Sequence, residues 1–233
     1  MKWLFLLLPF FLCAQEPFFA HFEAPKGWQI ADPSKYGRGV KIGFIASKRK
    51  IFTPSITLTL EKVGKTSLEI YLKVIEKHNR HNHYTELGSL QTKNGPARLI
   101  QLDIKNQWGV IRVLQAISIH EGYAIIHAAS VLKEEFLSVH EKLLASFKSL
   151  EVSPIWSDPD LEKKLMPLTT CWKKHCATSK GDRESLFATP FFQSNHWKPF
   201  VNYVEKELKL KGSCWQFLAI KYIQQSLLEK NSP

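Results

Sequence analysis

The chain has 233 residues and carries 32 Lys and Arg against 21 Asp and Glu, a formal net charge of +11. Beyond its first residues no stretch approaches the ~20 apolar residues of a spanning helix, which excludes a chain that crosses the membrane repeatedly as helices. The positive excess favours an acidic partner or an anionic membrane surface. Nucleic acid, the other usual partner of a basic protein, is set aside because the chain opens as an exported one.

That opening reads "MKWLFLLLPFFLCAQEP". Lys2 precedes an apolar run from Trp3 to Leu12, and small and polar residues follow, as in a secretory signal peptide. Residues 1–14 are the expected signal, cut after Ala14. One alternative is a lipoprotein with the lipid on Cys13, although Phe10, Phe11 and Leu12 replace the small residue that usually precedes a lipidated Cys. The other is a helix retained in the mature domain. The expected location is periplasmic or envelope-associated. About 219 residues then remain, enough for one or two domains.

The first strand pattern is "VKIGFIA", in which Val40, Ile42 and Phe44 alternate with Lys41 and Gly43. "SITLTLEKV" alternates more cleanly, with Ile56, Leu58 and Leu60 on one side. The link between these strands, "SKRKIFTP", holds the densest cationic spot: Lys48, Arg49 and Lys50. It is a candidate contact for an anionic lipid headgroup or an acidic protein. Its plainer role is a solvated loop that protects the strand edge.

Helical spacing starts at "KTSLEIYLKVIEKHNRH". Thr66 and Glu69 read as a capping box, and Leu68, Tyr71, Leu72 and Ile75 form one apolar face. The helix is expected to stop within "HNRHNH" (78–83), where Asn tolerates the left-handed conformation that ends helices. Three histidines in six positions raise the question of a metal. Arg80 among them, and the lack of a local carboxylate or Cys, speak against one. Late-helix His and Arg complement the helix dipole.

A strand-rich block follows, with "ELGSLQTK" meeting a tight turn at Asn94-Gly95. "PARLIQLDI", "VIRVLQAISI" and "AIIHAAS" come next, joined by "KNQWG" and "HEGY". Connections this short imply an antiparallel meander. "VLKEEFLSVHEKLLASFKSL" closes the unit as a helix whose Leu132, Phe136, Val139, Leu143, Phe147 and Leu150 face the core. The order β–β–α–β–β–β–α indicates an α+β domain over residues 20–152.

Periodicity breaks at "EVSPIWSDPD" and strand patterns do not return. Residues 155–233 read as a small all-α module. One helix starts near Pro159. A second places Trp197, Phe200, Val201, Val204 and Leu208 on one face and stops at Gly212. A third is capped by Ser213. A module of about 80 residues is near the lower size for independent folding, so it is expected to dock on its neighbour. Trp156, Trp172, Trp197 and Trp215 are expected mainly as core anchors, with one or two available as a binding patch.

Cys171, Cys176 and Cys214 all lie in this module. The expected arrangement is a disulfide joining one of the first two to Cys214 and so pinning the first helix to the last, worth ~2–4 kcal/mol. A metal or redox site in "CWKKHC" and buried free thiols are the alternatives. The spacing suits neither a Cys–His catalytic pair nor a metal, because positions five apart on a helix diverge by about 140°.

Over roughly residues 20–150 the chain resembles the PsbP/Mog-like superfamily, including DcrB-like exported bacterial proteins. The resemblance rests on "APKGW" (Pro25 to Trp28), the "VKIGF" strand and the "PSITL" strand before the first helix. It also rests on the G-x-x-R-x-x-Q pattern of Gly109, Arg112 and Gln115, and on "ASFKSL" closing the domain. It implies an α/β/α sandwich built on one antiparallel sheet, and relatives that are mostly non-enzymatic: a subunit docked on a membrane complex, or a binder of a small GTPase. The helical module is a departure from the family pattern.

HExxH, GxSxG and P-loop motifs do not occur, and no catalytic, cofactor-binding or metal-binding residue is assigned. The sequence is read as a non-catalytic binding or accessory protein acting on an envelope or exported protein. A peripheral or lipid-anchored membrane protein is the second reading. A metal-binding protein or enzyme built on the histidines or cysteines is the third.

Overall fold

The computed structural model describes residues 18–31, 39–47, 51–153 and 159–229. The expected signal segment, Cys13, the cationic triplet Lys48, Arg49 and Lys50, and Trp156 lie outside the described residues. The elements up to the end of the sheet are β1 (Phe19–His21), β2 (Trp28–Ala31), β3 (Val40–Ala46), β4 (Ser55–Lys62), α1 (Leu68–His78), β5 (His83–Thr92), β6 (Gly95–Asn106), β7 (Gly109–His120), β8 (Tyr123–Leu132), α2 (Phe136–Lys148) and β9 (Glu151–Ser153). Helices α3 (Pro159–Thr178), α4 (Arg183–Phe187), α5 (Pro190–Phe192), α6 (Lys198–Lys206) and α7 (Ser213–Leu228) follow.

The protein is α+β. Among the described residues a seven-stranded antiparallel sheet runs in the order β2-β3-β4-β8-β7-β6-β5. The meander has four strands, one more than the expected order held, and β2 adds an outer strand beside β3. A separate ribbon pairs β1 with β9, Phe19 opposite Ser153. It brings the start of the domain to its end, where the helical region leaves.

Alternation sorts side chains onto two faces. On one face Ile100, Ile117 and Ala124 pack against Tyr71 and Leu72 of α1. On the other, Ile56, Leu58, Leu114, Ala116, Ile125 and Ala129 meet Leu143 and Phe147 of α2. The layers are therefore α/β/α. The second face also carries the helical region, since one continuous core includes Phe22, Phe44, Leu161, Trp172, Phe200, Trp215 and Ile223. No described helix is long and apolar enough to cross a membrane.

Several local readings are corrected. The α1 N-cap is Ser67, whose side chain accepts from the Ile70 N–H, so the cap lies one residue after Thr66. Asn79 ends this helix without left-handed backbone, at φ −103. Its side-chain amide donates to the Ile75 carbonyl instead. Leu132 belongs to β8, and a 3₁₀ turn over Lys133–Glu135 precedes α2. Ladder bonds to β7 keep Val131 and Leu132 extended despite their helical spacing. Gly212, not Ser213, is the N-cap of α7. The expected long second helix of the module is limited to α6. Helices α4 and α5, too short for periodicity to mark, are capped by Asp182 and Thr189.

Candidate binding surface at one end of the sheet

The β3–β4 connection, the β6–β7 turn and the β8–α2 junction emerge at the same end of the sheet. Asn106 and Gly109 lie opposite each other, so Gln107 and Trp108 alone form the turn. Asn106 Oδ1 accepts from the Trp108 N–H at 2.9 Å, and Gly109 takes φ +117, a backbone that favours glycine. A turn this tight projects the indole past the strand ends, and Trp108 is 45% exposed. The Phe52 ring lies 6.0 Å from it. The β3–β4 connection thus reaches across the end of β8 to the neighbouring hairpin. Ile51 is 83% exposed on that connection, and Leu137 is 79% exposed in the first turn of α2.

An ion cluster anchors this end. Asp103 on β6 faces Arg112 on β7, and Arg112 donates to both carboxylate oxygens, each at 2.9 Å. Lys133 reaches the same carboxylate at 2.9 Å. The Arg112 guanidinium lies 5.0 Å over the Phe136 ring. The hydrogen bonds from Arg112, and then those from Lys133, hold the Asp103 carboxyl at about 2. The cluster ties β6, β7 and the start of α2 together and leaves one net positive charge. Arg112 of the family-like pattern therefore has a structural role at the surface's base.

Lys48, Arg49 and Lys50 fall between described Ser47 and Ile51 in the sequence. The apolar patch of Ile51, Phe52 and Trp108 is what sequence reasoning missed. In the sequence Trp108 stands only as part of the "KNQWG" turn. Its signal was available: a Trp in a two-residue hairpin turn has no sheet face to occupy. The tryptophans singled out instead, Trp172, Trp197 and Trp215, are all buried.

Among the described residues Cys171, Cys176 and Cys214 are all free, and the expected disulfide is absent. Trp172, beside Cys171, donates its indole N–H to the Leu227 carbonyl at 2.7 Å, which places this turn of α3 at the far end of α7. Cys214 is at the start of α7, roughly 20 Å away along the helix axis. A disulfide needs Cα atoms within about 7 Å. Burial pushes the Cys214 thiol up to about 12 and raises Cys176 as well, the opposite of an activated thiolate. His175 faces Thr189 Oγ1 at 3.1 Å and the Leu186 carbonyl at 3.3 Å. Within "HNRHNH", His78 Nδ1 bonds the Val74 carbonyl at 2.8 Å, and Arg80 Nε approaches His81 at 3.4 Å. Among the described residues no three His, Cys, Asp or Glu side chains gather as a metal-binding group.

No protein-family model matches the sequence, and no curated protein matches it. Solved structures similar to this chain include LpqN of Mycobacterium tuberculosis, which is involved in cell envelope biogenesis. Its TM-score is 0.47 at 12% identity, covering 59% of this chain and 84% of LpqN. Cyanobacterial PsbP from Synechocystis gives 0.42 at 10% identity over 60% of this chain and 95% of that one. The Ran-binding protein Mog1p of Saccharomyces cerevisiae gives 0.36 at 17% identity over 55% and 87%. At such identities these are likenesses of fold alone.

Proposed function

We propose that the protein is an exported, non-catalytic binding or accessory protein. It combines a PsbP/Mog-like domain (20–152) with a helical module (155–233), and it engages an envelope or exported protein through the Phe52–Trp108 end of the sheet. The observation that carries this reading is the joint exposure of Ile51 and Trp108 on two different connections, held in register by the Phe52 contact. Exposed aromatic side chains on a rigid frame are the usual anchors of protein interfaces. The neighbouring sequence Lys48-Arg49-Lys50 and the net charge of +11 match a partner whose contact site is apolar at its centre and acidic at its rim. The test is crosslinked capture from an envelope fraction with the full chain and with Trp108→Ala. A stoichiometric acidic partner held by the first and lost by the second is the expected result. Capture of no stoichiometric partner, or equal capture by both, overturns it.

The same surface supports a second reading, attachment to an anionic membrane. Trp is favoured at the lipid–water boundary, and each nearby lysine or arginine adds about 1 kcal/mol at an anionic surface. Salt-sensitive binding to vesicles containing phosphatidylglycerol, reduced in Trp108→Ala, distinguishes it from the protein-partner reading.

A further inference from the structure

The seam between the sheet and the helical region forms a half-open cavity of about 190 Å³. Its apolar wall is Phe18 just before β1, Phe19 of β1, Leu60 from β4 and Leu218 from α7, all buried side chains. Lys41 of β3 and Lys221 of α7 are the charged residues among its described lining, one from each side of the seam. Both are half-buried. Neither the sheet domain nor the helices alone would form this space: Leu218 and Lys221 supply the wall that β1, β3 and β4 lack.

We infer that this cavity binds a small apolar monocarboxylate, its carbon body against Phe18, Phe19, Leu60 and Leu218 and its carboxylate toward Lys221. Volume sets the size of the guest. An apolar cavity of about 150 Å³ takes benzene, so this one suits a guest somewhat larger than that, such as a short fatty acid. Charge sets its head group. A part-buried ammonium with an anion gains a charge-assisted hydrogen bond, which a neutral head group does not provide to the same extent. Apolar walls with few convergent polar groups are the ordinary composition of small-ligand sites. The inference stands independently of the partner-binding surface at the sheet end, and it gives the C-terminal helices a function: they complete a ligand site.

Calorimetry on the full chain with octanoate and with octan-1-ol tests this. The wild-type chain is expected to bind octanoate saturably. Lys221→Gln, a change on a half-buried helix position that leaves the core intact, is expected to weaken octanoate about tenfold or more while changing octanol less than about twofold. Leu218→Trp, which fills the cavity, is expected to abolish both. Absence of saturable octanoate binding by the wild-type chain overturns the inference. So does octanoate affinity that Lys221→Gln leaves unchanged, or an equal loss of octanol and octanoate in that variant.

Discussion

Arg112 grips Asp103 through two parallel hydrogen bonds of 2.9 Å across the β6–β7 ladder, with both side chains largely withdrawn from solvent, 17% and 6% exposed. The pair sits three ladder positions behind the Asn106–Gly109 pair that closes the turn carrying Trp108. A bidentate pair with a third donor, Lys133, fixes that end of the sheet more firmly than a surface ion pair would, because little water screens it.

Removing the carboxylate therefore costs stability. Asp103→Ala leaves the Arg112 guanidinium part-buried without its acceptor and is expected to lower unfolding free energy by about 2 kcal/mol or more. Arg112→Lys keeps a charge but loses the fork, and is expected to cost about 1 kcal/mol. Urea unfolding of the two variants beside wild type measures both. Equal stability of all three contradicts the clamp.

His127 gives the fold an acid sensitivity. It is fully buried on β8, its ring 4.1 Å from Phe22 and 4.7 Å from Phe147, and neither ring nitrogen has a hydrogen-bond partner. Burial lowers its pKa from 6.5 to about 3. The unfolded chain takes up a proton below 6.5 that the folded chain refuses. Stability is then full above pH 6.5 and falls toward pH 3 by as much as about 1.4 kcal/mol per pH unit. Asp103, depressed from 3.8 to about 2, adds a separate loss that begins only below pH 3.8. His127→Leu is expected to flatten the upper window and leave the lower one. An unchanged slope between pH 6.5 and 4 in that variant rules the assignment out.

The thiols behave as three independent groups. Dithiothreitol is expected to leave the melting temperature unchanged, since no described bridge exists to reduce. Cys214, fully buried, is expected to react with Ellman's reagent only on unfolding, and the half-buried Cys171 and Cys176 sooner. A mobility shift on reducing gels, or mapped peptides linking Cys214 to either of the others, refutes this.

Sheet and helices are expected to unfold together. Trp215 on α7 meets Phe19 on β1 edge-on with ring centroids 6.0 Å apart, inside a core that runs without a break from Phe18 to Leu227. Trp215→Ala is expected to lower stability by about 3–5 kcal/mol in a single transition seen by far-ultraviolet and tryptophan signals alike. Two separated transitions in the wild-type chain show that the units unfold independently.

Alternation and turn chemistry made most of the sheet readable. "SITLTLEK" places Ile56, Leu58 and Leu60 on one buried face, and Glu121-Gly122 turns the chain between β7 and β8. The β5–β6 hairpin turns one residue earlier than the Asn94-Gly95 expected, at Lys93-Asn94, because Thr92 pairs with Gly95. "HNRHNH" is legible as the boundary between α1 and β5, because Asn side chains bond backbone carbonyls and compete with the helix. The binding surface was hardly legible. Ile51 and Phe52 lie more than fifty positions from Trp108, and only the strand order brings the two connections to one end. The cysteine geometry was equally hidden, since spacing within α3 does not reveal which end of α7 it meets.

Sequence alone determined the local units: which stretches alternate, which spiral and where turns fall, because those depend on each residue's backbone preference and its near neighbours. Its composition also determined a basic chain. Tertiary structure decided everything that depends on pairing between distant segments. It set Arg112 on Asp103, buried His127 without a partner, separated Cys171 from Cys214, and formed a cavity between β1 and α7. Those outcomes follow from strand order and helix docking, and burial of apolar faces selects them over the whole chain at once, where no local pattern records them.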